Sequence, residues 1–188
     1  MSFFPAYFSL EDRKILLVGG GAIALEKLEK LLDFTDKITI IAAESSSSFM
    51  ACVQQHGLTL HEREYQKGDI DGFDMVIVAT DTLELHRAIY EESRTTRVLV
   101  NSVDDTAYCD FIFPSYIKRG DLTIAVSTGG ASPAMAKRLR RYLEALIPPQ
   151  IEDFLAEMKR LREELPKGKE RMNYFSKKSD LFMKNYFK

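Results

Sequence analysis

The sequence predicts an α/β fold built on a parallel sheet, and three observations predict it. Ile15–Val18 is a wholly apolar run that ends in three glycines. Further short apolar runs then alternate with stretches of helical spacing up to about Cys109. The runs are apolar at every position rather than at every second one, as strands covered on both faces require. Repeated strand-then-helix order gives a parallel sheet with helices on both faces, the Rossmann-type arrangement.

The elements follow in order. Ile15–Val18 reads as a buried strand, and Ala22–Leu32 as a helix with Ile23, Leu28, Leu31 and Leu32 at helical spacing. Ile38–Ala42 is a second strand, which completes a strand–turn–helix–strand unit of about 30 residues. Phe49–Gln55 predicts helix, Leu58–Arg63 a third strand, and Met75–Ala79, the most apolar run, a central strand. Leu83–Ser93 predicts helix and Val98–Val100 a short strand. After Cys109 the pattern changes. Phe111–Ile117 and Leu122–Val126 flank a turn containing Gly120, as in an antiparallel hairpin. Ser132-Pro133 opens a helix, with serine at the N-cap and proline at the first helical position, and it stops before Pro148-Pro149. Ile151–Leu165 is another amphipathic helix. Beyond Pro166-Lys167-Gly168 lies a basic, aromatic tail. Its phenylalanines are expected to pack on the preceding helices or on a partner chain.

Composition narrows the function classes. The 188 residues suffice for a full domain and a smaller appendage. A hydrophobic fraction of 45% supports a core, and a net charge of −2 argues against general nucleic-acid binding. The balance is uneven: from Lys137 onward there are 14 Lys+Arg and 8 Asp+Glu, a net of +6, which leaves −8 on the rest. A basic C-terminal part could hold an anionic substrate; solvated helix surfaces are the alternative. Cys52 and Cys109 stand in no metal-ligand spacing, so no metal site is expected, and a reducing, cytoplasmic setting fits. The opening residues lack the pattern of a signal peptide, and no apolar run is long enough for a membrane span.

Gly19-Gly20-Gly21-Ala22-Ile23-Ala24 fits G-x-G-x-x-[G/A] between a predicted strand and a predicted helix. Gly19 would allow the tight turn, Gly21 the approach of a pyrophosphate, and Ala24 close packing of helix on strand. The helix N-terminus would offer its N–H groups to phosphates. Glu44, just past the second strand, could bind a ribose hydroxyl and repel a 2′-phosphate, which favours NAD over NADP. A solvated loop glutamate is the alternative.

Three segments go beyond a generic dinucleotide fold. They are LVGGGAIA at 17–24, NSVD at 101–104 with FIFPS at 111–115, and AVSTGGASP at 125–133 followed by AKRLR at 136–140. In this order they resemble the dehydrogenase–ferrochelatase module of the siroheme synthases and its stand-alone relatives, over roughly residues 3–165. The resemblance implies oxidation of precorrin-2 to sirohydrochlorin with NAD+ as hydride acceptor, with ferrous-ion insertion in some members. It implies a Rossmann domain at 1–113, a dimerisation region at 114–147, a small helical domain at 148–188, and an intertwined homodimer. It places the essential aspartate on Asp104 and cofactor contacts on Ala22, Ile23, Ala43 and Glu44. The fused synthases carry a methyltransferase domain after this module. Here the chain stops at Lys188, so methylation is expected of another protein, and chelation stays open.

The residues can be read against that chemistry. Asp104 follows the Val98–Val100 strand, near the carboxyl edge where open α/β sheets bind ligands. A carboxylate there could act as general base and accept pyrrole protons during metal insertion; a loop-capping aspartate is the alternative. Asp105 is its obvious confounder. Asn101 could contact the cofactor or orient the loop. Ser127, Thr128 and Gly129 could form an anion-binding turn. Lys137 and Arg138, with Arg140 and Arg141, could bind substrate carboxylates, although some of these charges must face solvent. His56, His61 and His86 read as surface or structural. Two non-catalytic readings remain: an NAD-sensing Rossmann module, and a protein that only binds a tetrapyrrole.

Overall fold

Four apolar residues, Ile15–Val18, form the central strand β1 and are buried at every position. The computed structural model describes residues 3–103 and 105–187. It divides them into two compact units, 3–112 and 113–187.

In the first unit β1 pairs in parallel with β2 (Ile38–Ile41) on one side and with β4 (Met75–Val78) on the other. β3 (Thr59–His61) and β5 (Leu99–Ser102) complete the order β3-β2-β1-β4-β5. The registers Val18↔Ile41, Val18↔Val78 and Val78↔Ser102 bring the strand ends into line. The helices are α1 (Ala22–Leu32), α2 (Ser47–Gln55) and α3 (Leu83–Ser93). Right-handed crossovers put α1 and α2 on one face, because both connections run the same way along the sheet. The β4–α3–β5 connection runs the other way and puts α3 on the opposite face. Ala24 is fully buried, and so fills the place expected of the third small residue of the glycine motif.

The second unit begins with the antiparallel hairpin β6 (Ser115–Arg119) and β7 (Leu122–Val126), turning at Gly120 with φ +54°. Then come α4 (Pro133–Leu146), α5 (Ile151–Glu164) and α6 (Lys169–Tyr186). Ser132 caps α4 by accepting from the Met135 N–H at 3.2 Å. Arg119 donates to the carbonyl of Glu144, near the end of α4, and to that of its C-cap residue Ile147.

Three expectations need correction. The first hairpin strand starts at Ser115, not Phe111: the Phe111 carbonyl is taken by the Asn101 side chain, and Pro114 has no N–H to give a ladder. β3 is shorter than Leu58–Arg63. β5 extends two residues past Val100, to Ser102, and so contains Asn101. The tail after Gly168 is a helix of 18 residues, inside the stretch expected to be helical. Its Phe182 is buried, with its ring stacked 4.3 Å from that of Phe154 on α5.

Candidate cofactor and substrate site

The glycine turn is dictated by its neighbours. Gly19 has φ +123°, and a Cβ there would lie 2.2 Å from the Ala79 carbonyl oxygen at the end of β4. A Cβ on Gly20 would lie 2.4 Å from the Glu44 carbonyl oxygen and from Ser45 Oγ. The Gly20 carbonyl in turn accepts from the Ser46 N–H at 2.9 Å. Gly21 differs: a Cβ there would meet open space. Two glycines are thus needed for the turn itself, and the third leaves the surface bare where a ligand would approach.

That surface is the start of α1. No side chain caps the helix, and Ala22 and Ile23 are exposed. Its first N–H groups point outward with the positive end of the helix dipole, the arrangement that binds phosphate. Ala43 and Glu44 are exposed just after β2, beside the turn. Ser45 Oγ and Thr80 Oγ1 are buried hydroxyls with no hydrogen-bond partner, one against Gly20 and the other on the residue that abuts Gly19. Unsatisfied buried polar atoms are uncommon, and two beside one turn fit a site that a polar ligand completes. The residues present fit a dinucleotide.

Next to the turn lies a pocket of about 280 Å³, lined by Ile23, Thr80, Asp81, Leu83, His86, Val103 and Asp105. It sits at the carboxyl ends of β4 and β5, beside the point where the strand order reverses between β1 and β4. Asp104, the expected base, lies outside the described residues. Its chain neighbours Val103 and Asp105 both line the pocket. The Asp105 carboxylate accepts from the Ala107 N–H at 2.9 Å and caps the 3-10 turn Thr106–Tyr108. Cys109 Sγ accepts from the Ser102 N–H at 3.2 Å and lies within donating distance of the carbonyls of Ser102 and Asp105. Burial raises the Cys109 thiol above its ordinary pKa, and its contacts tie Ser102 to Asp105.

The other expected residues fall in distinct settings. Asn101 is buried within β5, and its Nδ2 donates to the Phe111 carbonyl at 2.9 Å. This is the loop-orienting alternative, although Oδ1 has no partner. In the second unit, Ser127 Oγ accepts from the Gly129 N–H and Thr128 Oγ1 from the Ser132 N–H. Those hydroxyls therefore satisfy the turn's own backbone. Gly129 and Gly130 take φ +62° and +87°. Lys137, Arg138 and Arg141 are exposed, whereas Arg140 pairs with Glu144. His86, read from sequence as surface or structural, is buried and faces the pocket. Gly20 also went unassigned, because its requirement comes from the backbone of residues 44–45.

The family model described as "Putative NAD(P)-binding" matches residues 6–115. The chain belongs to this family. A second model of this NAD(P)-binding protein's sequence, "Sirohaem biosynthesis protein central", matches residues 119–146. The siroheme synthase of Mannheimia succiniciproducens is 38% identical over 151 residues, 80% of this chain and 32% of the relative. That of Methylococcus capsulatus is 34% identical over 181 residues, 94% of this chain and 38% of the relative. The chain thus spans about a third of the length of these curated relatives. Among solved structures, SirC, a precorrin-2 dehydrogenase, shares the fold with a TM-score of 0.75 at 24% identity, covering 97% of this chain and 88% of that one.

Proposed function

We propose that this NAD(P)-binding protein oxidises precorrin-2 to sirohydrochlorin, with NAD+ as the acceptor. The observation that carries the reading is the pocket between the bare N-terminus of α1 and the residues Val103 and Asp105, in a chain whose relatives are siroheme synthases. Gly19, Gly21, Ala22 and Ile23 would hold the pyrophosphate, and Ala43 and Glu44 the adenosine ribose. Glu44 is the reason to expect NAD rather than NADP. When bound, NAD+ supplies the hydride acceptor. Asp104 would take the proton lost as conjugation extends round the macrocycle. Asn101 would hold the loop that carries it. Ser127, Thr128, Gly129, Lys137 and Arg138 would meet the substrate's carboxylates.

The dimerisation role of 114–147 has support on α4. Met135, Leu139, Tyr142 and Leu146 are exposed and follow one another at four, three and four residues, the spacing of a coiled-coil seam. A homodimer with α4 at its interface, and a separate helical role for 148–188, are part of the proposal. So is a cytoplasmic setting: neither cysteine forms a disulfide, and no helix among the described residues is long and apolar enough to cross a membrane.

The test is anaerobic turnover of enzymatically generated precorrin-2 with NAD+ and then NADP+, for wild type and Asp104→Ala. NAD+-dependent appearance of the sirohydrochlorin spectrum, lost in Asp104→Ala, is the expected result. Tetrapyrrole binding without turnover would replace the dehydrogenase by a carrier. Binding of NAD alone would leave a sensor. Ferrous ion added to the same cuvette, as substrate, tests insertion.

A further inference from the structure

His86 is a buried titratable side chain in the pocket wall for which the chemistry above has no use. It is 3% exposed and lies in the first turn of α3. Its Nε2 lies 2.8 Å from the Thr80 carbonyl oxygen and its Nδ1 2.5 Å from Ser102 Oγ. A carbonyl oxygen only accepts, so Nε2 carries a proton and donates it. In the neutral ring Nδ1 then accepts from the Ser102 hydroxyl.

Both bonds end on segments that build the pocket. Thr80 follows β4 and lines it. Ser102 is the last residue of β5, and its backbone is held on the other side by Cys109 Sγ. Val103, the next residue, donates to the Val78 carbonyl at 3.0 Å. The imidazole therefore joins three elements, β4, β5 and α3, at the edge where ligands bind. An apolar side chain would fill the same volume without a desolvation cost. An imidazole is worth burying here because it fixes two polar groups at defined positions.

We propose that His86 is a positioning residue: through Thr80 and Ser102 it sets the place of Val103 and Asp105 relative to the end of β4. Its effect on turnover rests on the dehydrogenase reading, and the positioning itself does not.

The experiment compares His86→Leu, His86→Gln and Ser102→Ala with wild type. It measures kcat and KM for precorrin-2 oxidation, and hydrogen exchange of the amides at 103–110. The leucine removes both bonds. Glutamine keeps an N–H able to reach the Thr80 carbonyl. Alanine removes only the Ser102 arm, with little change of volume. In His86→Leu, kcat should fall about tenfold or more with KM changed by less than about threefold. Its 103–110 amides should exchange faster while those of β1 and β2 stay protected. Ser102→Ala should show the same pattern more weakly, and His86→Gln should recover to within about threefold of wild-type kcat. If His86→Leu does not fold, the other two variants decide. Wild-type kcat and exchange in Ser102→Ala or in folded His86→Leu would overturn the proposal. So would loosening spread evenly over the sheet, the mark of a histidine that only supports the core. An inactive wild type would sink the dehydrogenase reading instead, and the exchange pattern would still decide the positioning.

Discussion

The two units bury their apolar residues very differently. Most of the buried hydrophobic residues lie in 3–112, and the second unit contributes Ile117, Ala136, Ile147, Met158 and Phe182. The second unit instead leaves Met135, Leu139, Tyr142, Leu146, Met172, Leu181 and Met183 exposed. The first sheet is covered on both faces and meets its own need for a core. The second unit, a two-stranded hairpin with three helices, leaves apolar stripes bare. A contiguous apolar stripe on a folded chain marks a surface that something covers. The proposed cofactor site lies in the unit that meets its own need for a core, and the proposed dimer interface in the unit that leaves apolar side chains exposed.

The largest effect should come from the centre of the first unit. Ile77 on β4 is fully buried. Ile77→Ala should cost about 2–5 kcal/mol, read as a fall in the urea midpoint at unchanged slope. A loss below about 1 kcal/mol would mean that this sheet is not the stabilising core.

Gly19→Ala comes next. Positive φ alone costs about 1–3 kcal/mol for a side chain, and the Cβ would also strike the Ala79 carbonyl. Stability should drop by a few kcal/mol, and titration with NADH should show little binding. Gly21→Ala is the informative contrast. Its Cβ meets open space within the chain, so stability should hold while cofactor affinity falls. Equal damage to stability in both variants would remove the distinction between a turn glycine and a ligand-facing one.

How far the sequence reaches follows the same division. Strands buried on both faces announce themselves as apolar runs, so ILLV, ITII and MVIV were legible. The Ser132-Pro133 start was legible because capping is local chemistry. α6 was not. It opens at Gly168 without a side-chain cap, and Phe182 is its one buried residue, so neither a start signal nor a broad apolar face marked it. In the site, Gly19 and Gly21 were readable from motif spacing. Gly20 and His86 were not, because what constrains them comes from residues 44–45, Thr80 and Ser102, brought near only by the sheet.

The α4 stripe gives a smaller effect on stability and a clear one on association. Leu139→Glu with Tyr142→Glu changes two exposed positions, so each chain should keep its fold to within about 0.5 kcal/mol per site. Sedimentation at micromolar concentration should shift from dimer to monomer. A wild type that is already monomeric would break the assignment of association to the second unit.

The smallest effect tests polar against apolar stabilisation inside the first unit. The crossover from β3 to β4 carries no strand or helix, and a polar clasp holds its start. Arg63 donates to both Asp69 oxygens at 2.7 and 2.8 Å, and the Gln66 N–H donates to the same carboxylate at 2.7 Å. The Arg63 hydrogen bond is the chief reason the Asp69 carboxyl titrates below its ordinary value of 3.8. A depressed carboxylate stabilises the fold above its unfolded pKa and loses that contribution as pH falls through its folded pKa. Asp69→Asn should therefore melt slightly lower than wild type at pH 7, by less than about 1 kcal/mol because the pair is partly exposed. The gap should close as pH falls below the ordinary carboxylate range. A gap that persists in acid would show that the backbone hydrogen bond from Gln66, rather than charge, holds the crossover. A gap as large as that of Ile77→Ala would mean that the clasp rivals the sheet as the first unit's support.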